Sequence, residues 1–305
     1  MQIVRKTFEQ LSTNQKTALD SHSFFTSTAF SKLWESIGGK PVWWTAEDKD
    51  SFTILPGIEF GISKLKRFQA MTDGLYANFV TSQILMDIDC SKEMLTAIGN
   101  YEYAKVFIFD FQNQFSYHSI YQIEKLSTIL VDITDSEWLP PDKKMQSELR
   151  KAERENILIE KFDTAKHMDK FLTLMTETEK RHGRKPKYPE KFYRNLADLS
   201  QVDERILWFW CEHDGNPVSS HINFIEQQML FNWQVFYDKE FSFLKANQKM
   251  LYDMVQKYQK GVFRYLNLGA SPPDAESLVE YKMKYGGEIY TYQMLTKKNL
   301  AGKLL

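Results

Sequence analysis

Residues 205–237 read RILWFWCEHDGNPVSSHINFIEQQMLFNWQVFY, three apolar runs parted by His213-Asp214-Gly215-Asn216 and by Glu226-Gln227-Gln228. Short runs rich in Trp, Phe, Ile and Val, joined by turn-forming residues, predict three strands in an antiparallel meander. Downstream, Phe243 to Gln259 sets Met250, Leu251, Met254, Val255 and Tyr258 along one helical stripe. Phe263 to Leu268 then reads as a buried strand, and Pro273 to Tyr285 as a helix opened by proline and closed by Gly286-Gly287. Glu288 to Leu295 reads as a last strand. A meander, a helix and a strand that must lie beside the meander make a mixed sheet with helices on both faces.

Upstream of the meander, Met145 to Asn156, His167 to Arg181 and Tyr188 to Leu199 have helical periodicity, and Ile157 to Phe162 reads as a strand. Residues 134–144, with Pro140-Pro141, break both periodicities and mark the expected boundary between a first domain, 1–139, and a second, 140–305. In the first domain, Ser21 to Gly39 reads as a short helix stopped by Gly38-Gly39. Pro41 to Ala46 and Phe52 to Phe60 form a hairpin, and Ser91 caps a helix to Asn100. Ala104 to Phe109 and Ser127 to Ile133 are strands. The fold class expected is α/β, with two domains.

The 305 residues are 43% hydrophobic and 26% charged, enough for a sizeable core and unlike a disordered chain. Lys and Arg total 39 against 40 for Asp and Glu, so the net charge of -1 gives no global pull toward DNA or an anionic membrane. Any polyanion site must be local. Cys90 and Cys211 have no metal-ligand spacing, no run approaches the roughly 18 apolar residues of a bilayer span, and Met1 to Gln10 lacks a secretory pattern. The expectation is a cytoplasmic protein without a metal site or a transmembrane segment.

Four stretches carry a resemblance. MQSELRKAERENILIEK (Met145 to Lys161), the TETEKRHG segment (Thr176 to Gly183), LKANQKMLY (Leu244 to Tyr252) and FRYLNLGASPPDAESLVEYKMKYGG (Phe263 to Gly287) together resemble the FemAB family in order and spacing. SFFTSTAFSKLW (Ser23 to Trp34) and VDIT (Val131 to Thr134) fit as well. The resemblance implies two tandem GNAT-like domains, each a mixed, largely antiparallel sheet flanked by helices. It also implies transfer of an acyl or aminoacyl group to an amine of a cell-wall precursor, such as peptidoglycan's, of a glycan or of a small metabolite. The chain shows none of the sustained heptads that would mark the long coiled-coil pair of the cross-bridge enzymes. It is therefore nearer to the shorter FemAB-like acyltransferases, with acyl-CoA or aminoacyl-tRNA as co-substrate and no tightly bound cofactor.

Candidate site residues follow from both lines. Residues 180–194 carry Lys180, Arg181, Arg184, Lys185, Lys187, Lys191 and Arg194 against Glu190 alone. Such a local patch suits the phosphates of a nucleotide-linked glycan or peptide substrate, or of tRNA, and Arg181, Arg184 and Lys185 are its candidate ligands. The resemblance places the aromatic-Lys pair Tyr281-Lys282 in the substrate channel, with Lys282 stabilising the acyl-transfer transition state. Tyr237 and Asp238, just past the third meander strand, are candidate proton donor and acceptor, and Trp233 a substrate contact. Leu244, Lys245, Ala246 and Asn247 occupy the donor loop, where the fold ordinarily uses glycines to cradle a pyrophosphate. Here there is none, so coenzyme A is expected to fit poorly. The rival expectation is a non-catalytic module that binds a phosphorylated ligand on a degenerate GNAT scaffold.

Overall fold

In the computed structural model, which describes residues 2–302 apart from 50, 72–74, 77, 84–87, 116–119, 156, 260–261, 272–274 and 301, the chain opens with a strand that polar composition hides. This is β1 (Gln2–Lys6), followed by α1 (Thr13–His22), which buries only Gln15 and Leu19. Neither was expected from apolar periodicity. Helix α1 does carry a readable start, because Ser12 and Gln15 form a reciprocal capping box. Then come α2 (Thr28–Leu33), β2 (Lys40–Glu47), β3 (Phe52–Phe60), β4 (Arg67–Ala70), β5 (Val80–Thr81), α3 (Ile88–Asn100) and β6 (Lys105–Asp110). The hairpin of β2 and β3 is as expected. Ser91 is not a cap: α3 begins three residues earlier, and Ser91 is buried inside it.

The rest of the chain forms β7 (Gln122–Asp132), α4 (Lys143–Ala152), β8 (Ile157–Lys161), α5 (Thr164–Arg181), α6 (Glu190–Val202), β9 (Ile206–His213), β10 (Asn216–Glu226) and β11 (Met229–Tyr237). A 3-10 turn (Lys239–Leu244), α7 (Ala246–Tyr258), β12 (Tyr265–Asn267), α8 (Glu276–Met283) and β13 (Gly287–Lys298) complete it. The expected meander is present as β9, β10 and β11. Its first turn places Asp214 and Gly215 at φ 49° and 75°, the left-handed conformation such tight connections need. The expected start of α8 at Pro273, and Asp274 beside it, lie outside the described residues; the described helix starts at Glu276 and ends at a left-handed Gly286.

Two compact units result, Met1–Leu126 with Thr291–Leu305, and Ser127–Tyr290. In the first, β1, β2, β3 and β4 pair antiparallel in sequence, β4 pairs parallel with β6, and β6 pairs antiparallel with β13 through Lys105–Asp110 and Gln293–Lys298. In the second, β8, β9, β10 and β11 pair antiparallel in sequence, β11 pairs parallel with β12, and β12 pairs antiparallel with β7. The order and sense of six strands are the same in both. Each unit is thus a mixed, mainly antiparallel sheet flanked by helices.

The division differs from the expected cut between residues 139 and 140. Residues 134–144 break periodicity yet are no linker, because Ile133 and Trp138 lie in the second unit's core. The Gln259 amide donates to the carbonyls of Ile133 and Asp135, and the Gln256 amide donates to that of Trp138 at 2.9 Å. The last strand, read as part of the second domain, supplies the outer partner of β6 in the first unit.

In the first unit, consecutive tryptophans of β2 take opposite faces, as strand alternation requires. Trp44 packs with Leu55, Phe68, Met94 and Ile108 on the α3 side, and Trp43 with Leu19, Ile54 and Val80 on the α1 side. Among the described residues, a single carboxylate is buried in this unit's sheet beside a cation. Glu59 of β3 is 2% exposed and takes a bidentate pair from Arg5 of β1, at 2.6 and 2.7 Å, plus the hydroxyl of Tyr103. Burial pushes the Glu59 carboxyl up, but the hydrogen bonds from Arg5 and Tyr103 outweigh it and hold the group below the usual carboxylate range. Glu59→Gln should cost about 3 kcal/mol of stability at pH 7 by leaving Arg5 without its partner. Because the folded-state value is depressed, that advantage is full above the unfolded carboxyl's titration and is lost as pH falls through the folded one. Urea unfolding of both proteins at pH 7 and pH 3 checks this, and an undiminished gap at pH 3 would contradict it.

Candidate functional site

The parallel partnership of β11 and β12 lasts three residue pairs, Met229 with Tyr265, Leu230 with Leu266 and Phe231 with Asn267. Immediately beyond, β11 bulges against β10: Asn223 faces Asn232, Ile222 faces Gln234, and Trp233 is the extra residue. The strand then continues beside β10 to Tyr237, while β12 has ended and the chain turns at Gly269, φ 73°. A Cβ on Gly269 would lie 3.4 Å from the carbonyl of Asn232. Among the described residues, β11 from Asn232 onward forms no ladder with β12, so its backbone groups on that side face an opening between two strands. Such an opening can hold an extended ligand by main-chain hydrogen bonds.

The chain leaves β11 through Asp238, whose side chain accepts from the N–H of Glu240 and caps the 3-10 turn. Lys245 then adopts φ 59°, the left-handed conformation a glycine would supply, and gives no side-chain cap to α7. The loop thus reaches the glycine-type course at this turn without glycine. Leu244 and Ala246 are buried in the core. Asn247 points its carboxamide oxygen back at β10, where it accepts from Ser219 Oγ and pairs with His221 Nε2 at 3.1 Å. With Ser219 donating to the same oxygen, the proton of His221 belongs on Nε2. Burial pushes the imidazole down to about 4.

Helix α8 brings Lys282 under the opening. Its ammonium is buried and donates to the carbonyls of Gly269 and Ala270 at 2.9 Å each and to Ser271 Oγ at 3.1 Å. All three of its protons are therefore spent on the loop that leaves β12, and burial pushes the group down to about 8. Its neighbour Tyr281 meets the hydroxyl of Tyr285 at 2.9 Å, and burial, with the charges of Glu148 and Tyr237 nearby, raises it to about 12. Glu148 of α4 also receives Lys245 at 3.3 Å and the Gln248 amide at 3.2 Å. The structure thus draws Tyr237, Lys245, Tyr281 and Glu148 into one electrostatic neighbourhood at the start of α7.

The basic stretch behaves differently. Arg184 is paired with Glu179 at 2.5 Å, Arg194 with Glu190 and Asp169, and Lys180 with Glu177. Counting residue 180 to 194 alone misses Glu177, Glu179 and Asp169, which the turns of α5 bring alongside. The local charge is therefore much lower than the run suggests. Arg181 is the exception, anchored on Tyr237 by a 2.9 Å bond to its carbonyl and by its guanidinium 4.3 Å from the ring centre. Lys185 is exposed and forms no ion pair among the described residues. Trp233 stacks near Tyr188 and against Phe224, and so is bound into the aromatic packing on the α6 side.

Residues 142–283 match the family model of the acetyltransferase (GNAT) domain. The second unit carries a GNAT domain. No curated protein matches the chain. Among solved structures, FemX is similar over 96% of this chain and 97% of its own, with a TM-score of 0.70 at 11% identity. A conserved protein of unknown function from Bacteroides thetaiotaomicron is similar over 92% of each chain, with a TM-score of 0.61 at 12% identity. At these identities the likeness is one of fold, and it extends over both units. Among the described residues, no helix is long and apolar enough to cross a membrane.

Sequence reading missed four residues of this candidate site. Glu148 lies on α4 and pairs with residues about a hundred positions away, and Ser219 and His221 meet Asn247, 26 residues beyond the histidine. Asn267, the end of a short strand, gave no signal at all. The buried His221 has a measurable consequence. Its folded-state value of about 4 lies below the ordinary 6.5, so between those limits the unfolded chain takes up a proton that the folded chain refuses. Stability should therefore fall as pH is lowered through this window, by about 1.4 kcal/mol per pH unit from this group. Urea unfolding of the wild type and His221→Gln at pH 7 and pH 5 checks it: the variant should lose less, and equal losses would remove His221 as the cause.

Proposed function

We propose that the GNAT domain transfers an acyl group from acyl-CoA to an amine of a small molecule or of a nucleotide-linked glycan or peptide, a cell-wall precursor among them. The observation that carries this reading is the match of residues 142–283 to the acetyltransferase domain, laid over a parallel strand pair that opens after Phe231 and Asn267. In this reading the bulge at Asn232 to Gln234 supplies main-chain N–H groups to a developing oxyanion in the opening. Lys245, left-handed at the head of α7, and the first N–H groups of that helix are the residues that would hold the donor's phosphates. The donor supplies the activated carbonyl; the amine nitrogen bonds to its carbon, the carbon–sulfur bond breaks, and the thiolate leaves with the electron pair.

In this reading the Tyr237 hydroxyl delivers the proton that the departing thiolate takes up, and the proton released by the amine nitrogen restores that hydroxyl by way of solvent. Asp238 is committed to its turn and is left without a proton-accepting part. Arg181, fixed on Tyr237, faces the anionic portion of the substrate. Lys282 is a positioning residue: it holds Gly269 to Ser271 in place at the rim of the opening. The neutralised stretch around Arg184 does not favour the rival reading of a purely phosphate-gripping module. We infer further that the first unit, whose six strands follow the same order, is a second copy of the GNAT fold.

Mass spectrometry of acyl transfer from a panel of acyl-CoA donors, with alanyl-tRNA alongside, to a panel of amines tests the function. Product from a thioester donor is expected. No product from any thioester, or product from the tRNA donor alone, would overturn it. Lys282→Met should lower kcat more than tenfold, and in the wild type activity should decline as pH rises through about 8, where the Lys282 clamp loses its third proton. Lys282→Arg, charged throughout, should move that alkaline limb upward, and an unmoved limb would remove Lys282 from it. Arg181→Ala should raise KM for the substrate at low salt and less so at high salt, and a salt-independent KM would make Arg181 ordinary surface.

A further inference from the structure

Asn267, the last residue of β12, is fully buried, and its carboxamide is half used. Its Oδ1 accepts from the N–H of Gly269 at 2.9 Å and from Thr128 Oγ1 at 2.6 Å. The backbone N–H of Gly269 can only donate, so the atom facing it must be the oxygen, and the amide cannot be reversed. Its Nδ2 then finds no acceptor among the described residues. An amide donor left unpaired in the interior is costly, and buried amides are seldom left so.

The position of this donor gives it meaning. Thr128 lies on β7, so the oxygen is turned to that side of β12 and the nitrogen to the other, where β11 runs. Asn267 faces Phe231, the last pair before the two strands part. Two residues further along β11, Trp233 packs with Tyr188 and Phe224. One hydrogen-bond donor is therefore set at the residue pair where the two strands part, the inner end of the opening, where the transferred group would lie.

We propose that Asn267 Nδ2 recognises an oxygen carried by the transferred acyl group, so that the GNAT domain selects acyl groups bearing a hydroxyl, carbonyl or carboxylate oxygen over plain alkyl ones. This rests on the acyl-CoA reading given above and names the class of acyl group it takes. A plain alkyl chain in that place would leave the donor unpaired, and sites built to bond a polar group discriminate strongly against analogues that lack it.

The test compares kcat/KM for acetyl-, butyryl-, 3-hydroxybutyryl- and succinyl-CoA in the wild type and in Asn267→Asp. Aspartate keeps an oxygen for Gly269 and Thr128 but replaces the donor by an acceptor. The wild type should favour 3-hydroxybutyryl- or succinyl-CoA over butyryl-CoA at least tenfold, and Asn267→Asp should erase that preference while leaving KM for the amine unchanged. If Asn267→Asp does not fold, Thr128→Val, which frees the carboxamide without removing its nitrogen, should reduce the preference severalfold. An active wild type that favours butyryl-CoA, or a preference untouched by either variant, overturns this inference alone. A change confined to the amine's KM puts the oxygen on the acceptor and overturns it too. A wild type that transfers none of the four acyl groups overturns the acyl-CoA reading and the inference with it.

Discussion

Everything in the second unit is arranged around a parallel strand pair that is allowed to hold for only three residues. A sheet gains by continuing its ladder, and each abandoned main-chain group must find another partner or a ligand. Here β11 gives up β12 at Phe231 because the bulge at Trp233 shifts its register against β10, and β12 ends in a left-handed glycine beside the Asn232 carbonyl. Three protons of Lys282 then hold the departing loop. The opening is thus maintained by polar contacts on its rim, with apolar packing confined to the two faces of the sheet.

The same logic explains why polar residues are buried where they are. Ser219 and His221 lie under the head of α7 and fix Asn247, which stands where a glycine-rich loop would otherwise tie the helix to the sheet. Ser219 and the Nε2 of His221 find a partner there and the histidine stays neutral, while its Nδ1 has no partner among the described residues. In the first unit, Glu59 is tolerable for a different reason: Arg5 and Tyr103 use both of its oxygens across the strands. One device keeps a site in shape, the other joins β1 to β3 across β2.

Local signals made the meander, most helices of the second unit and the mixed sheet legible in the sequence. Asp214-Gly215 and Gly286 mark turns whatever surrounds them, and the apolar stripes of α5 and α7 are long enough to be unambiguous. What stayed hidden depends on partners remote in sequence. Strand β1 carries Arg5 and Lys6 because its charges are met by Glu59 and Glu47, so it does not look apolar. The charge of residues 180–194 is met by residues one or more turns away on α5, which a window of sequence cannot register. The donor loop was read through its missing glycine, whereas Lys245 adopts the required backbone conformation itself. Glu148 and Asn267 matter through spatial neighbours alone.

The return of β13 to the first unit bears on how this chain can be made. Strand β6 is synthesised well before the segment that pairs with it, residues 293–298. Until then the nascent first unit presents an unmet strand edge, a template for unwanted association that cells screen with chaperones. The first unit can complete its sheet only after the whole of the second has been made.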